Sequence, residues 1–276
     1  MLVVDDGKPR NYASKGIHGY LGHHSILPAE LLARGRAEAM AAGVEFCEAR
    51  ASKVEQVGDI FEVTTGDSSV VRARRVVLAY GVRDTLPDIP NIEQYYGTSV
   101  HHCPDCDGYE SRDKRIGVIA WGKSAVGLAL KLLQWSDDVV VFTHGHGREW
   151  DDELNSKLLA EQITVKTEKI ASLEGSEGCV ETAVLSTGER VPVRALFFSI
   201  HVERTCDLAE SLGCECATDP GAPDLVVDEH RRTTIEGVWA VGDLVAGSKL
   251  AITAAADGAI AAISINKSLL PPSRRV

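Results

Sequence analysis

Two stretches of this chain, residues 60–80 (IFEVTTGDSSVVRARRVVLAY) and 180–200 (VETAVLSTGERVPVRALFFSI), share one length and one layout, which narrows the possible folds more than any other feature. Each reads as a strand, a Gly-marked turn, a second strand, an arginine and a final apolar strand. Upstream of each, Gly43-Val44-Glu45-Phe46 and Gln162-Ile163-Thr164-Val165 hold matching short-strand positions after a helical stretch. The chain is therefore expected to contain two copies of one α/β unit, about 120 residues apart. With 276 residues and 44% apolar content it can bury a core for each copy.

Further upstream in the second copy, Ile116 to Ile119 is an apolar strand, Ala120 to Ala125 a small-residue loop, Val126 to Trp135 an apolar helix and Val139 to Phe142 another strand. That succession is a βαβ unit. In the first copy only the later strand has a match, Leu2 to Asp5. Symmetry leads to the expectation that a strand, a Gly-rich loop and a helix, about 30 residues in all, belong ahead of Met1, so the sequence reads as N-terminally truncated. Such a loop is where a dinucleotide pyrophosphate meets a helix N-terminus, and its absence from the sequence leaves retention of a dinucleotide open. The acidic residue expected to hold the ribose hydroxyls after that strand is Asp5; taken alone, Asp5-Asp6-Gly7 is equally a solvated turn.

The formal net charge of -11, with no concentrated basic stripe, argues against a nucleic-acid partner and against an anionic membrane surface. No apolar run has membrane-spanning length and no leader stands at the N-terminus, so a cytoplasmic location is expected. Seven cysteines are an odd number for a structural disulfide framework. Only Cys103 and Cys106, in His102-Cys103-Pro104-Asp105-Cys106-Asp107-Gly108, have C-x-x-C spacing. A zinc site would want a second close pair, and Cys206, Cys214 and Cys216 are spread through a polar segment, so no metal is expected.

A lone C-x-x-C beside an α/β pattern points to a redox dithiol. Thiolate is the reactive form, so one cysteine needs a lowered pKa and access to substrate while the other reaches an electron acceptor. Asp107, directly after Cys106, is placed to shuttle the proton that a leaving sulfur requires. His101 and His102 are candidates to stabilise a thiolate as imidazolium, or else surface histidines on a linker, the reading preferred for His101. Cys47 and Cys179 fall in strand patterns and are expected as small core hydrophobes.

Two further segments have the form of ligand loops. Ala120-Trp121-Gly122-Lys123-Ser124-Ala125 fits G-x-G-x-x-A between strand and helix, with Ala120 in place of the first glycine, which makes Gly122, Ser124 and Ala125 candidate cofactor contacts. The bulky Trp121 would cover that site, stack on a ligand or fill the space. After the next strand, residues 143–148 offer one arginine, Arg148, where an NADP 2′-phosphate favours a cluster. Near the far end, Gly237-Val238-Trp239-Ala240-Val241-Gly242-Asp243 is an apolar strand closing on Gly-Asp, followed by a small-residue helix from about Ile252 to Asn266. A carboxylate there can accept hydrogen bonds from a polyol, and amides at the helix start can hold a developing anion; the plain alternative is a strand, a turn and a core helix.

Taken in order, Ala79-Tyr80-Gly81, C-x-x-C-Asp-Gly at 103–108, the degenerate glycine loop at 120–125 and Gly-Val-Trp-Ala-Val-Gly-Asp at 237–243 resemble the bacterial-type thioredoxin reductase family over essentially the whole chain. The resemblance implies an α/β fold of two nested dinucleotide-binding domains, Rossmann-like and three-layered. A discontinuous FAD domain would comprise residues 1–99 and 227–276, and an NAD(P)-binding-like domain, residues 100–226, would carry the C-x-x-C. It also implies a homodimer and a flavin-dependent thiol-disulfide oxidoreductase acting on a thioredoxin-like protein or a small disulfide or dithiol. On that resemblance Asp5, Gly81, Gly242 and Asp243 contact FAD, with Asp243 at the ribityl chain, and Ala251, Ile252 and Thr253 lie against the flavin pyrimidine. Cys106 would face the flavin, Cys103 would attack the substrate and Asp107 would serve as general acid and base.

Three positions depart from that pattern: Ala120, Tyr80 in place of the threonine of Ala-Thr-Gly, and the single arginine after Phe142. Two of them concern the nicotinamide domain, so NADPH use stays open. A branch resembling the gliotoxin and holomycin dithiol oxidases passes dithiol electrons to oxygen, and Cys106-Asp107-Gly108-Tyr109-Glu110 and Gln134-Trp135-Ser136-Asp137-Asp138 are similar to it. A third reading, of another class, is a pseudoenzyme or interaction protein without FAD.

Overall fold

The computed structural model describes residues 1–217 and 224–274. The repeat folds twice into the same pieces. In the first copy the strands are β1 (Leu2–Asp5), β2 (Glu45–Glu48), β3 (Ala51–Val57), β4 (Ile60–Thr65), β5 (Val70–Ala73) and β6 (Val76–Leu78), with helix α1 (Pro28–Ala41) between β1 and β2. A short strand, β7 (Val82–Asp84), leads out of the copy. The second copy begins with β8 (Val100–His101) and the single-turn helix α2 (Pro104–Asp107). It continues through β9 (Ile116–Ile119), α3 (Gly122–Leu132), β10 (Val139–Phe142), α4 (Asp152–Ala160) and β11 (Thr164–Lys166). Then come β12 (Ile170–Ser176), β13 (Cys179–Leu185), β14 (Arg190–Pro192) and β15 (Ala195–Phe198). The strand β16 (Val202–Arg204) and helix α5 (Leu208–Ser211) lead back to the first unit, which β17 (Val238–Ala240) and α6 (Ala251–Ser268) complete.

The predicted correspondence is exact in kind: β3-β4-β5 and β12-β13-β14 are both three-stranded antiparallel sheets. Val63 pairs with Val71 in one, and Ala183 with Val191 in the other. In the inner unit a five-stranded parallel sheet runs in the order β11-β10-β9-β15-β8. Its central strands β9, β10 and β15 are buried throughout, as parallel strands covered on both faces must be. Alternation assigns the two faces. Ile119, Val140, Phe142, Leu196 and Phe198 pack with Ile170, Leu173, Leu185 and Val191 of the antiparallel sheet. Ile116, Val118, Val141 and Phe197 pack with Val126, Ala129 and Leu132 of α3 and Leu158 of α4. The inner unit is therefore a three-layer sandwich. Its helix α3 runs from Gly122 to Leu132, so it starts four residues before the expected Val126 and ends three before the expected Trp135.

In the outer unit the parallel strands form two separate pairs, β1 with β2 and β6 with β17. Their counterparts in the inner unit, β10 with β11 and β15 with β8, are bridged by β9; among the described residues no strand holds that bridging place between β1 and β6. The outer core gathers Val54, Phe61, Leu78, Val238, Ala240 and Leu244, and Trp239 packs under α6 with Ala261. Strands β7 and β16 pair antiparallel where the chain leaves and re-enters the outer unit. Among the described residues no helix is long and apolar enough to cross a membrane.

Candidate active site

The cysteine pair sits where β8 gives way to α2. Cys103 is the N-cap residue of α2 with extended backbone, and Pro104 holds the first helical position, where its missing N–H costs nothing. The backbone N–H groups of Cys106 and Asp107 donate to Cys103 O at 3.2 and 3.1 Å, winding the turn tightly enough to bring the two Cα atoms to 5.2 Å. The two sulfurs are joined as a disulfide. Gly108, next after Asp107, is required by close approach: a Cβ there would lie 2.3 Å from Trp135 Nε1 and 2.4 Å from Pro104 O. The Asp-Gly after the cysteines thus presses this turn onto the end of α3.

Asp107 has its carboxyl raised to about 7, first by burial and then by the nearby charge of Glu110. Its Oδ2 lies 3.5 Å from Nδ1 of His101. His101, expected on the surface of a linker, is instead buried, because it is the second residue of β8 and packs on Phe197. Burial, aided by His102, lowers its pKa to about 4. His102 is likewise lowered by burial, although Asp84 pulls the other way. Burial thus disfavours the imidazolium form of both rings, which speaks against either as a thiolate-stabilising cation. His101 and Asp107 thus meet as two groups whose buried setting favours the uncharged form of each.

Sequence reasoning missed the group on the other side of His102. Its Nδ1 lies 3.2 Å from the Tyr96 hydroxyl and 3.7 Å from Asp84 Oδ2. Arg10 grips Asp84 through Nε and Nη2, both at 2.6 Å, and donates through Nη1 to Asp243 Oδ2 at 2.8 Å. Burial works against the guanidinium charge, but the two carboxylates outweigh it and raise the pKa of Arg10 above its ordinary value. Arg10 ties together an N-terminal loop, the exit strand β7 and the turn after β17. No motif marks it, since its partners lie 74 and 233 residues away in sequence.

Around Asp243 the structure brings together most of the residues expected at the flavin. Gly81 and Gly242 both have left-handed backbone, φ +64° and +67°, and a Cβ on Gly81 would come within 4.0 Å of Asp243 Cβ. Gly242 packs against Ala254 in the first turns of α6, which places Ala251, Ile252 and Thr253 beside the same turn. Asp257, also unanticipated, fixes that turn by accepting from Gly242 N–H at 3.1 Å and from Arg231 Nε at 2.7 Å. Thr253 Oγ1 accepts from Leu250 N–H at 3.2 Å, and the first turn of α6 carries no carboxylate to offset its positive end. A polyol and a ring carbonyl fit this arrangement of one carboxylate, two glycines with left-handed backbone and a helix N-terminus.

The remaining expected contacts stand apart from that group. Asp5, at the end of β1, accepts from Gly7 N–H at 3.0 Å and so closes its own Asp-Asp-Gly turn. Gly122 opens α3 with φ +61°, Ser124 Oγ donates to Trp121 O at 2.8 Å, and Ala125 is fully buried. Of the three roles open to Trp121, the indole takes a stacked one within the protein: its ring lies 3.9 Å from that of His146, 14° from parallel. Cys47 is half-buried and Cys179 exposed, so neither is the core residue expected; Cys179 opens β13 directly after the Glu177-Gly178 turn. Cys214 packs in the outer core with Leu208 and Leu225 rather than in a polar segment.

A bridged C-x-x-C, a buried carboxyl beside it and two repeated α/β units define the class as a thiol-disulfide oxidoreductase. Residues 7–258 match the pyridine nucleotide-disulphide oxidoreductase family, and the chain belongs to that family. A thioredoxin reductase of Treponema pallidum is 30% identical over 240 residues, spanning 82% of this chain and 74% of that protein. The crystal structure of a putative thioredoxin reductase, TrxB, from Bacillus anthracis superposes with a TM-score of 0.89 at 30% identity, covering 97% of this chain and 89% of the other. The crystal structure of HlmI superposes at 0.91 with 35% identity, over 97% and 84%. Within the family this chain is a thioredoxin reductase-like, FAD-dependent disulfide oxidoreductase.

Proposed function

We propose that Cys103 and Cys106 carry an electron pair between FAD and a thioredoxin-like protein or a small disulfide or dithiol. In this reading Cys103 meets the substrate, Cys106 faces the flavin and Asp107 moves the proton. The observation that carries it is the disulfide on α2 directly beside a carboxyl whose pKa of about 7 suits proton transfer in either direction. Bound FAD supplies a two-electron store. Asp243, Gly242 and Gly81 would hold its ribityl chain, Ala251, Ile252 and Thr253 its pyrimidine edge, and Asp5 the adenosine ribose. The outer domain would be residues 1–99 and 227–276 and the inner one residues 100–226, with Gly122, Ser124 and Ala125 at the mouth of the latter. Mutation of Cys106 to serine tests the assignment: dithiol-disulfide turnover is expected to vanish, and full retained turnover would refute it.

A specific observation bears on the far electron partner. Adenosine of a nicotinamide dinucleotide sits over the carboxyl ends of the first two strands of a βαβ unit, here β9 and β10, and that is where Trp121 and His146 stack on one another. Thr143 Oγ1 donates to His146 O, and Gly145 N–H donates to Thr167 O at 3.0 Å, so the loop bearing His146 is pinned. This occupancy supports the second reading, in which oxygen instead of NADPH is the electron partner and a small dithiol is oxidised. A homodimer is supported by exposed Tyr12, Leu21, Leu27, Leu32 and Met40, all within one segment of the outer unit. A cytoplasmic location belongs to the same reading, because a disulfide that is catalytic is the kind a reducing compartment holds.

A further inference from the structure

Asp107 must give up and regain a proton in each exchange, yet its side chain is only 17% exposed. A cavity of about 260 Å³ adjoins it, enough for several waters. Asp107 and His101 contribute to its wall, and so do His18 and Glu110, whose side chains are progressively more exposed at 23% and 40%. His18 Nδ1 lies 3.3 Å from Glu110 Oε1 and shares a hydrogen bond of 3.1 Å with Ser25 Oγ, so His18 and Glu110 stand in contact at the more exposed side of the cavity. The other charged groups lining it are Lys15, Lys114 and Arg194.

We propose that Glu110 and His18 form the proton port of Asp107, relaying protons between its carboxyl and water through this cavity. The inference rests on the role given above to Asp107. In the reductive direction the Cys103 thiolate attacks a disulfide R–S–S–R′, forming Cys103–S–S–R and breaking the S–S bond, and the expelled R′S⁻ takes the proton of Asp107. Cys106 passes its own proton to Asp107 and attacks Cys103 Sγ, re-forming the intramolecular disulfide, and the expelled RS⁻ takes that proton. The two cysteines lose the electron pair that R–S–S–R′ gains. Asp107 is left ionised, so each turnover draws one proton from water, and Glu110 and His18 are the groups between Asp107 and water that can pass it. The charge of Glu110 also helps keep Asp107 protonated near neutral pH. Both are positioning residues, acting through Asp107.

The test uses the holoprotein, reduced anaerobically with dithionite and mixed with one of two disulfides while the return of oxidised flavin absorbance is followed. Hydroxyethyl disulfide expels a basic thiolate that needs a proton; dithionitrobenzoate expels an acidic one that does not. Glu110→Gln and His18→Gln are each expected to slow the first reaction about tenfold in dilute buffer and leave the second within about twofold of wild type. Concentrated imidazole buffer should restore the lost rate, as should Glu110→Asp. With Glu110→Gln, the alkaline limb of the hydroxyethyl disulfide profile should move to lower pH, because a like charge has left the side of Asp107. Wild-type rates in both variants at every buffer concentration would overturn the port, as would equal slowing of both disulfides without rescue. Asp107→Asn separates the two levels. If it leaves the hydroxyethyl disulfide rate unchanged, the role of Asp107 itself falls; if it slows that reaction while Glu110→Gln and His18→Gln do not, only the port falls.

Discussion

At Asp107, burial and the Glu110 carboxylate both disfavour the charged form, and the folded pKa of about 7 stands above the ordinary 3.8. The stability linked to that shift is full below about 3.8 and is lost as pH rises through 7. Asp107→Asn is therefore expected to unfold at higher urea than wild type on the alkaline side of neutrality and to lose about a hundredfold in exchange rate. Greater stability without loss of rate would detach the residue from the chemistry. His101 works the other way: its pKa falls from 6.5 to about 4, so the stability it gives is present above 6.5 and lost as pH drops toward 4. His101→Gln should flatten the acid limb of the stability profile, read from urea midpoints across that window. Arg10 holds Asp84, whose side chain is 4% exposed, so Arg10→Met leaves that carboxylate without its guanidinium partner and should cost about 3 kcal/mol in urea unfolding. Such residues explain where the sequence was mute. Cys103, Cys106 and Asp107 are neighbours in the chain and read as one motif, whereas Arg10 meets Asp84 and Asp243 only after the fold has closed, and no spacing along the chain announces that.

At the scale of elements, strands were easier to read than the faces they present. The segments from β3 to β6 and from β12 to β15 follow from period-two apolar patterning and Gly turns, and both copies form them. Periodicity could not say that Cys179 would stand beside a hairpin turn in the open, or that His101 would lie against Phe197, because burial depends on which neighbouring layer covers a strand. The glycine loop shows the same limit. Its place between β9 and α3 is legible, but the stacking of Trp121 on a residue beyond β10 is a contact between two loops. An aromatic pair of this kind contributes about 1 kcal/mol, so opening it should matter about fivefold to a competing ligand. Trp121→Ala is accordingly expected to lower the NADPH concentration needed for half-maximal flavin reduction about fivefold under anaerobic conditions. A weaker NADPH response in the variant would mean that the indole serves the ligand instead of occupying its place.

At the scale of the molecule, the duplicated unit is what the sequence disclosed best, and its asymmetry is what the structure adds. The inner sheet is continuous through β9, while the outer parallel strands remain as two pairs on either side of the place that β9 holds in its twin. Between those pairs and the inner unit, Arg10, Asp84 and His102 join the N-terminal loop, the exit strand and the strand that leads into the cysteines. Asp243, the residue proposed to hold the ribityl chain, is thus linked through Arg10, Asp84 and His102 to the segment that bears the redox pair. The most direct test is an anaerobic titration of the purified protein with dithiothreitol, followed in the flavin absorbance band, for wild type and Cys106→Ser. The wild type should be yellow and bleach as the dithiol is added, and the variant should be yellow and stay unbleached. A colourless wild type, or a variant that bleaches at the wild-type rate, would contradict electron transfer between a bound flavin and the Cys103–Cys106 pair.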